Sequence, residues 1–180
     1  LYFFEESGLI SIYNTQTKQT VKSVNTAATI GYADFDVYNN TKELYVPRND
    51  GWIYVYNAST LEKIDQINVG YAASSVVSNN NTLFVSTSAW TQRPLKVFDR
   101  ATKRLISETG DFDRTRLKKI PNSNTELIEI TLYIGPVDQD YYKFNADGSL
   151  AYHFDDRYHG DHPLDASIFE IFTSGNKYSS

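Results

Sequence analysis

Apolar and polar positions along this chain alternate with a period of two in short runs, and the runs recur. Ile10 and Ile12 precede Tyr13, Ile53 and Val55 precede Tyr56, and Leu95 and Val97 precede Phe98. A fourth copy, Tyr141 and Lys143 before Phe144, keeps the spacing with a weaker apolar character. Alternation over four to eight residues predicts a pleated strand with its faces in different surroundings. Each aromatic is followed by Asn or Asp, and three residues later by Thr or Gly: Asn14 and Thr17, Asn57 and Thr60, Asp99 and Thr102, Asn145 and Gly148. An Asx side chain can accept hydrogen bonds from the backbone just ahead of it, so each pair predicts a tight turn. A further strand follows each turn, at 20–24, 63–69, 104–108 and 149–154.

Two more landmarks keep the same rhythm. Gly31, Gly70, Gly110 and Gly160 follow the second strand of each hairpin, and Gly31-Tyr32-Ala33 is repeated as Gly70-Tyr71-Ala72. An earlier strand precedes each hairpin: Leu1-Tyr2-Phe3, Leu44-Tyr45-Val46, Leu83-Phe84-Val85 and Leu127-Ile128-Glu129. The Asn/Asp positions step by 43, 42 and 46 residues. A period of 40–50 residues carrying four short strands is the length of a β-propeller blade. The predicted fold is therefore all-β: a propeller of about four blades, each of four antiparallel strands, forming part of a larger propeller. With strands a to d running outward from the channel, Gly31 opens the loop into a, Leu44 lies in b, Ile53 in c and Lys63 in d. The expected units are 1–27, 28–70, 71–110 and 111–160, with the start of another at 161–180, within a single domain. The chain starts in strand b and reads as a processed or truncated piece. The alternative is four blades closed by the last a strand.

The pattern resembles the YVTN family of β-propeller repeats and, more loosely, the lactonase-like seven-bladed propellers. The matching residues are Leu44-Tyr45-Val46-Pro47, Asn57 with Thr60, and Gly160-Asp161-His162-Pro163. Gly31 and Gly70 depart from it, lacking the proline of the Gly-x-x-Pro loop. The resemblance implies the propeller fold and leaves the function open, since the repeat serves many roles.

Composition narrows the function. Hydrophobic residues make up 41% and aromatics 14%, with 14 Tyr and 10 Phe, a balance that suits half-buried sheets. A net charge of −5 offers no basic face for a nucleic acid. The absence of cysteine removes disulfide and thiolate chemistry. No apolar run approaches the roughly 20 residues of a membrane helix. Nothing matches a nucleophile elbow, a phosphate-binding glycine loop or a zinc-protease helix.

Three groups of residues carry candidate chemistry. Arg114, Arg116 and Lys118 alternate on one side of an a strand beside Lys119, a charge pattern suited to an anionic ligand such as a carboxylated sugar. Their structural alternative is pairing with Asp111, Asp113 or a neighbouring blade, where Asp34 and Asp36 form a matching acidic face. Trp90 and Arg93, in a long loop, offer an aromatic and a cation to a carbohydrate or protein partner, and the structural alternative is a loop Trp folded back on its own blade. His159, Asp161 and His162, with Asp165, offer ligands for a divalent metal. Beside this stands the reading of that segment as a polar surface loop. The expected function is a non-enzymatic binding or scaffold propeller, extracellular or periplasmic, that engages a protein, carbohydrate or small molecule. It needs no cofactor and is open to self-association through an exposed blade face. The alternative is a lactonase-like or other metal-dependent hydrolase.

Overall fold

The computed structural model describes residues 1–87, 95–110, 115–131 and 139–155. Fifteen strands and no helix occur among them. The strands form four antiparallel sheets, each a meander in chain order. The first holds β1 (Tyr2–Phe4), β2 (Leu9–Asn14) and β3 (Gln19–Asn25). The second holds β4 (Asp34–Tyr38), β5 (Thr41–Pro47), β6 (Trp52–Asn57) and β7 (Lys63–Asn68). The third runs through β8 (Ala73–Asn79), β9 (Thr82–Thr87), β10 (Leu95–Asp99) and β11 (Leu105–Thr109). The fourth comprises β12 (Thr115–Lys119), β13 (Glu126–Thr131), β14 (Gln139–Phe144) and β15 (Leu150–Asp155). The first sheet opens on the b strand, so its three strands are b, c and d.

The sheets stack face to face, and the repeated tripeptide shows how. In β5, Leu44 and Val46 pack towards the first sheet, whereas Tyr45 joins a cluster with Val76, Leu83, Val85 and Phe98 of the third. In β9, Leu83 and Val85 face backwards in turn, and Phe84 faces the fourth sheet with Leu117, Leu127, Tyr142 and Phe144. Tyr2 repeats the role of the middle residue, its ring centroid 4.7 Å from that of Phe35. Phe84 lies 4.6 Å from Phe144. Successive side chains of a strand point to opposite faces, so both parities must be apolar when both faces are covered. The c strands follow the same rule with the opposite phase. Ile53 and Val55 face forward while Tyr54 and Tyr56 face back. Outermost strands escape it: β3 is exposed along nearly its whole length, and β7 buries only Ile67.

The turns between c and d strands form as expected. Asn14 Oδ1 accepts from the N–H groups of Gln16 and Thr17 at 2.8 and 3.1 Å. Asn57 Oδ1 accepts from Ser59 and Thr60 at 2.9 and 3.1 Å. Asp99 Oδ1 takes both the N–H and the hydroxyl of Thr102, at 2.6 and 2.7 Å. The register slips by one residue just before each of the four turns, between Ile12 and Tyr13, Val55 and Tyr56, Val97 and Phe98, and Lys143 and Phe144. A bulge at that point bends the hairpin and sharpens its twist. The Gly landmarks serve two ends. Gly70 and Gly110 hold φ of 82° and 88°, where a β-carbon is strained. At Gly31 the constraint is space: an added Cβ would run into the Ser74 carbonyl oxygen.

Inner strands touch one another at this place. Tyr32 and Ser75 form a parallel bridge, with Tyr32 N–H donating to Ser74 O at 2.8 Å and Val76 N–H donating to Tyr32 O at 3.1 Å. Further out, Arg100 at the corner after β10 is wholly buried and reaches into the second sheet. Its Nε donates to Tyr45 Oη at 2.6 Å, one terminal nitrogen to Asp36 at 2.6 Å, and the other to Glu43 at 3.3 Å. The guanidinium also lies 4.3 Å from the centre of the Tyr38 ring. Burial works against its charge, and contact with Tyr45 and Asp36 outweighs burial, so its pKa lies above the ordinary value. Sheets stacked in this way with their first strands adjoining are the blades of a β-propeller. No helix among the described residues is long and apolar enough to cross a membrane.

Gly31→Ala is expected to destabilise the protein by about 2–4 kcal/mol, through displaced backbone between two blades, as read by urea denaturation. Arg100→Leu should cost about 3 kcal/mol, since it strands Glu43 and Asp36 without their cation. Lys143→Ala breaks a more exposed pair with Glu126 and should cost less than about 1 kcal/mol. Acid should also weaken the fold through its turns. The Asp99 carboxyl is held below its ordinary 3.8 by the Thr102 N–H first and the Thr102 hydroxyl second. A depressed folded pKa adds stability above the unfolded value and loses it as pH falls through the folded one. Thermal melting should therefore drop below pH 3.8, and Asp99→Asn, which keeps the turn chemistry of Asn14 and Asn57, should flatten that drop.

Candidate functional site

Where the inner strands of the last three sheets converge, a cleft opens against β1. One part, about 510 Å³, is bounded by Phe4, Gly31 to Asp34, Ser75 to Val77 and Arg116 to Lys119. An adjoining part of about 740 Å³ shares Phe4, Gly31 and Tyr32 and extends past Glu5, Glu6, Thr29 and Asn49 to Ser74. The two meet at Tyr32. Its backbone is pinned by the parallel bridge to Ser75, yet the residue stays 42% exposed. Phe4, across the shared wall, is 39% exposed. Other aromatics are exposed too, Phe3, Tyr71 and Tyr152 among them, but Phe4 and Tyr32 both line the two parts of the cleft.

The cations of β12 divide between two tasks. Lys119 shares the face of Leu117 and turns towards the other inner strands. Its amine lies 2.8 Å from Asp34 Oδ2, which also accepts from Ser78 N–H at 2.8 Å and Ser78 Oγ at 2.7 Å. One carboxylate thus ties β4, β8 and β12 together. Arg116 is exposed, and its guanidinium lies 4.4 Å from the centre of the Tyr32 ring. This is cation–π distance, and Arg116 forms no ion pair among the described residues. Lys118 is half-buried, and its amine is held below its ordinary value by burial first and by the charge of Arg116 second. Alternation along β12 puts Arg116 and Lys118 on the same side. Glu5 and Glu6, both exposed, lie at the far end of the cleft. The cleft is therefore basic at one end and acidic at the other, with aromatic rings between.

Asp34 of β4 pairs with Lys119, which stands beside the alternating set of Arg114, Arg116 and Lys118 for which pairing is the alternative. Asp36, the other acid of that strand, is taken by Arg100. Arg116 and Lys118 both line the cleft. Arg114, Trp90, Arg93 and the proposed metal ligands His159, Asp161 and His162 lie outside the described residues. Among the described residues no three His, Cys, Asp or Glu side chains are grouped to hold a metal ion. Phe4, Tyr32, Glu5 and Glu6 were not singled out by sequence as ligand contacts. One signal was present: Gly-Tyr-Ala occurs twice, and both tyrosines are exposed beneath a cation. Tyr71 is 47% exposed, with the Lys96 amine 5.0 Å from its ring centre.

No family model and no curated protein matches this sequence. Solved structures do match it. A structure of Kuenenia stuttgartiensis hydrazine synthase aligns with a TM-score of 0.62 at 17% identity, over 82% of this chain and 43% of that one. A chain of the mitotic checkpoint complex gives a TM-score of 0.65 at 13% identity, over 86% of this chain and 49% of that one. The Dos1 propeller gives 0.60 at 16% identity, over 86% and 44%. This chain spans less than half the length of each. At such identities the likeness is one of fold, and it agrees with the stacking of the sheets: this is a β-propeller chain.

Proposed function

We propose that this chain is a non-enzymatic binding propeller of the YVTN kind, exported from a bacterial cell, whose inner-strand cleft takes a carbohydrate. The observation that carries the reading is the Tyr32 ring, pinned through its backbone and left open where two parts of one cleft meet. Saccharides offer apolar C–H faces to aromatic rings and hydroxyls to polar rims. The rim here has the amide of Asn49, the hydroxyl of Thr29 and the carboxylates of Glu5 and Glu6. A few polar groups around apolar walls are the usual make-up of a ligand site. The YVTN assignment rests on Leu44-Tyr45-Val46-Pro47 and the Asn57/Thr60 turn, and export on a cysteine-free chain rich in Tyr, Asn and Thr.

Saturation-transfer NMR with xylotriose, cellotriose and chitotriose tests the reading. At least one should bind, and Tyr32→Ala should weaken it by about tenfold or more, the effect of losing an aromatic platform, with little change in melting temperature. Binding that survives Tyr32→Ala unchanged, or no binding at millimolar sugar, overturns it.

A further inference from the structure

The two ends of the cleft carry opposite charge, which restricts both what can lie in it and which way round. We propose that the cleft selects a saccharide bearing a single carboxylate and binds it in one orientation, the carboxylate against Arg116 and the neutral residues running towards Glu5 and Glu6. The inference rests on the reading of the cleft as a carbohydrate site and adds to it the ligand's charge and direction.

Three observations carry it. First, Arg116 presents an exposed guanidinium directly over the Tyr32 ring, so a sugar stacked beside that ring brings its substituents within reach of a planar two-pronged donor. Among the described residues, the acid lining this end, Asp34, is already engaged by Lys119 and Ser78 and does not neutralise Arg116. Second, Lys118 shares the side of Arg116 and lines the same part of the cleft, and its amine is held low by burial first and by repulsion from the Arg116 charge second. An incoming carboxylate relieves that repulsion. Third, the far end offers the opposite preference. Glu5 and Glu6 are adjacent and exposed, and a second anionic group there would meet two carboxylates. A polyuronate thus gains at one end and loses at the other, whereas a chain with one terminal uronate gains at one end and loses nowhere. The acidic rim suits hydroxyl donors, which neutral sugar residues supply.

The test compares three probes of one length in about 50 mM salt, where surface charges are weakly screened: xylotriose, glucuronosyl-xylobiose and trigalacturonate. Isothermal titration should rank glucuronosyl-xylobiose about tenfold tighter than xylotriose, the effect of one charge-assisted contact, with trigalacturonate weaker than glucuronosyl-xylobiose. Arg116→Gln should bring glucuronosyl-xylobiose down to the affinity that xylotriose shows on the same variant, and Arg116→Lys should keep part of the advantage. Glu5→Gln with Glu6→Gln should strengthen trigalacturonate alone. The Lys118 amine, followed by NMR, should titrate higher with glucuronosyl-xylobiose bound and stay in place with xylotriose. Equal affinity for the neutral and singly charged probes, or a silent Arg116→Gln, overturns the charge selection and leaves the carbohydrate reading standing. If no probe binds, the carbohydrate reading falls and this inference with it.

Discussion

The structure depends on strands that are apolar on both faces. A sheet with one apolar face can settle against a single neighbour, whereas β5, β9 and β10 bury side chains of both parities and need a neighbour on each side. Stacking sheet upon sheet meets that need. The b-strand tripeptide works as a coupling: its outer residues seat against the preceding blade and its middle residue reaches into the next. Tyr45 and Phe84 each form one half of such a joint. Hydrophobic burial of this kind has little direction, so it stacks the sheets without deciding how they are turned about the axis.

Polar contacts supply that direction. Asp34, shared by Ser78 and Lys119, locks three inner strands into one relation. Arg100, enclosed by Tyr45, Asp36 and Glu43, does the same farther from the channel for the second and third blades. The Tyr45 hydroxyl is raised well above its ordinary value by burial first and by its bond to Glu43 second, so it stays a neutral donor within the cluster. A buried cation with two carboxylates and a phenol tolerates few alternative geometries. These contacts sit where the cleft needs rigidity: the bridge that pins Tyr32 lies on the same inner strands that Asp34 joins.

Charge within the cleft follows from how the surrounding blades use their ionisable groups. Lys119 and Arg116 are close neighbours on one strand, but the pleat sends them to opposite sides. The first meets a carboxylate and becomes structural, and the second meets an aromatic ring and forms no ion pair among the described residues. Basic groups near an inner strand are thus sorted by parity.

The repeat was legible along the chain because each element of a blade leaves a local mark. Asn57 and Asp99 close their turns through their own side chains, and the Ile53/Val55 pair faces one way because a strand alternates. Those are effects over a few residues, and sequence determines them. The cleft is of another kind. Phe4, Tyr32 and Arg116 come from three blades and are far apart in the chain, and nothing in their local surroundings predicts that they adjoin. Even the charge pattern on β12 left open whether its cations would be paired or free, because the answer depended on which side met Asp34. What the sequence by itself determined was the module, its turns and its two-sided strands. What only the tertiary structure decided was which side chains of different modules share one space, since that depends on the angle at which whole sheets pack.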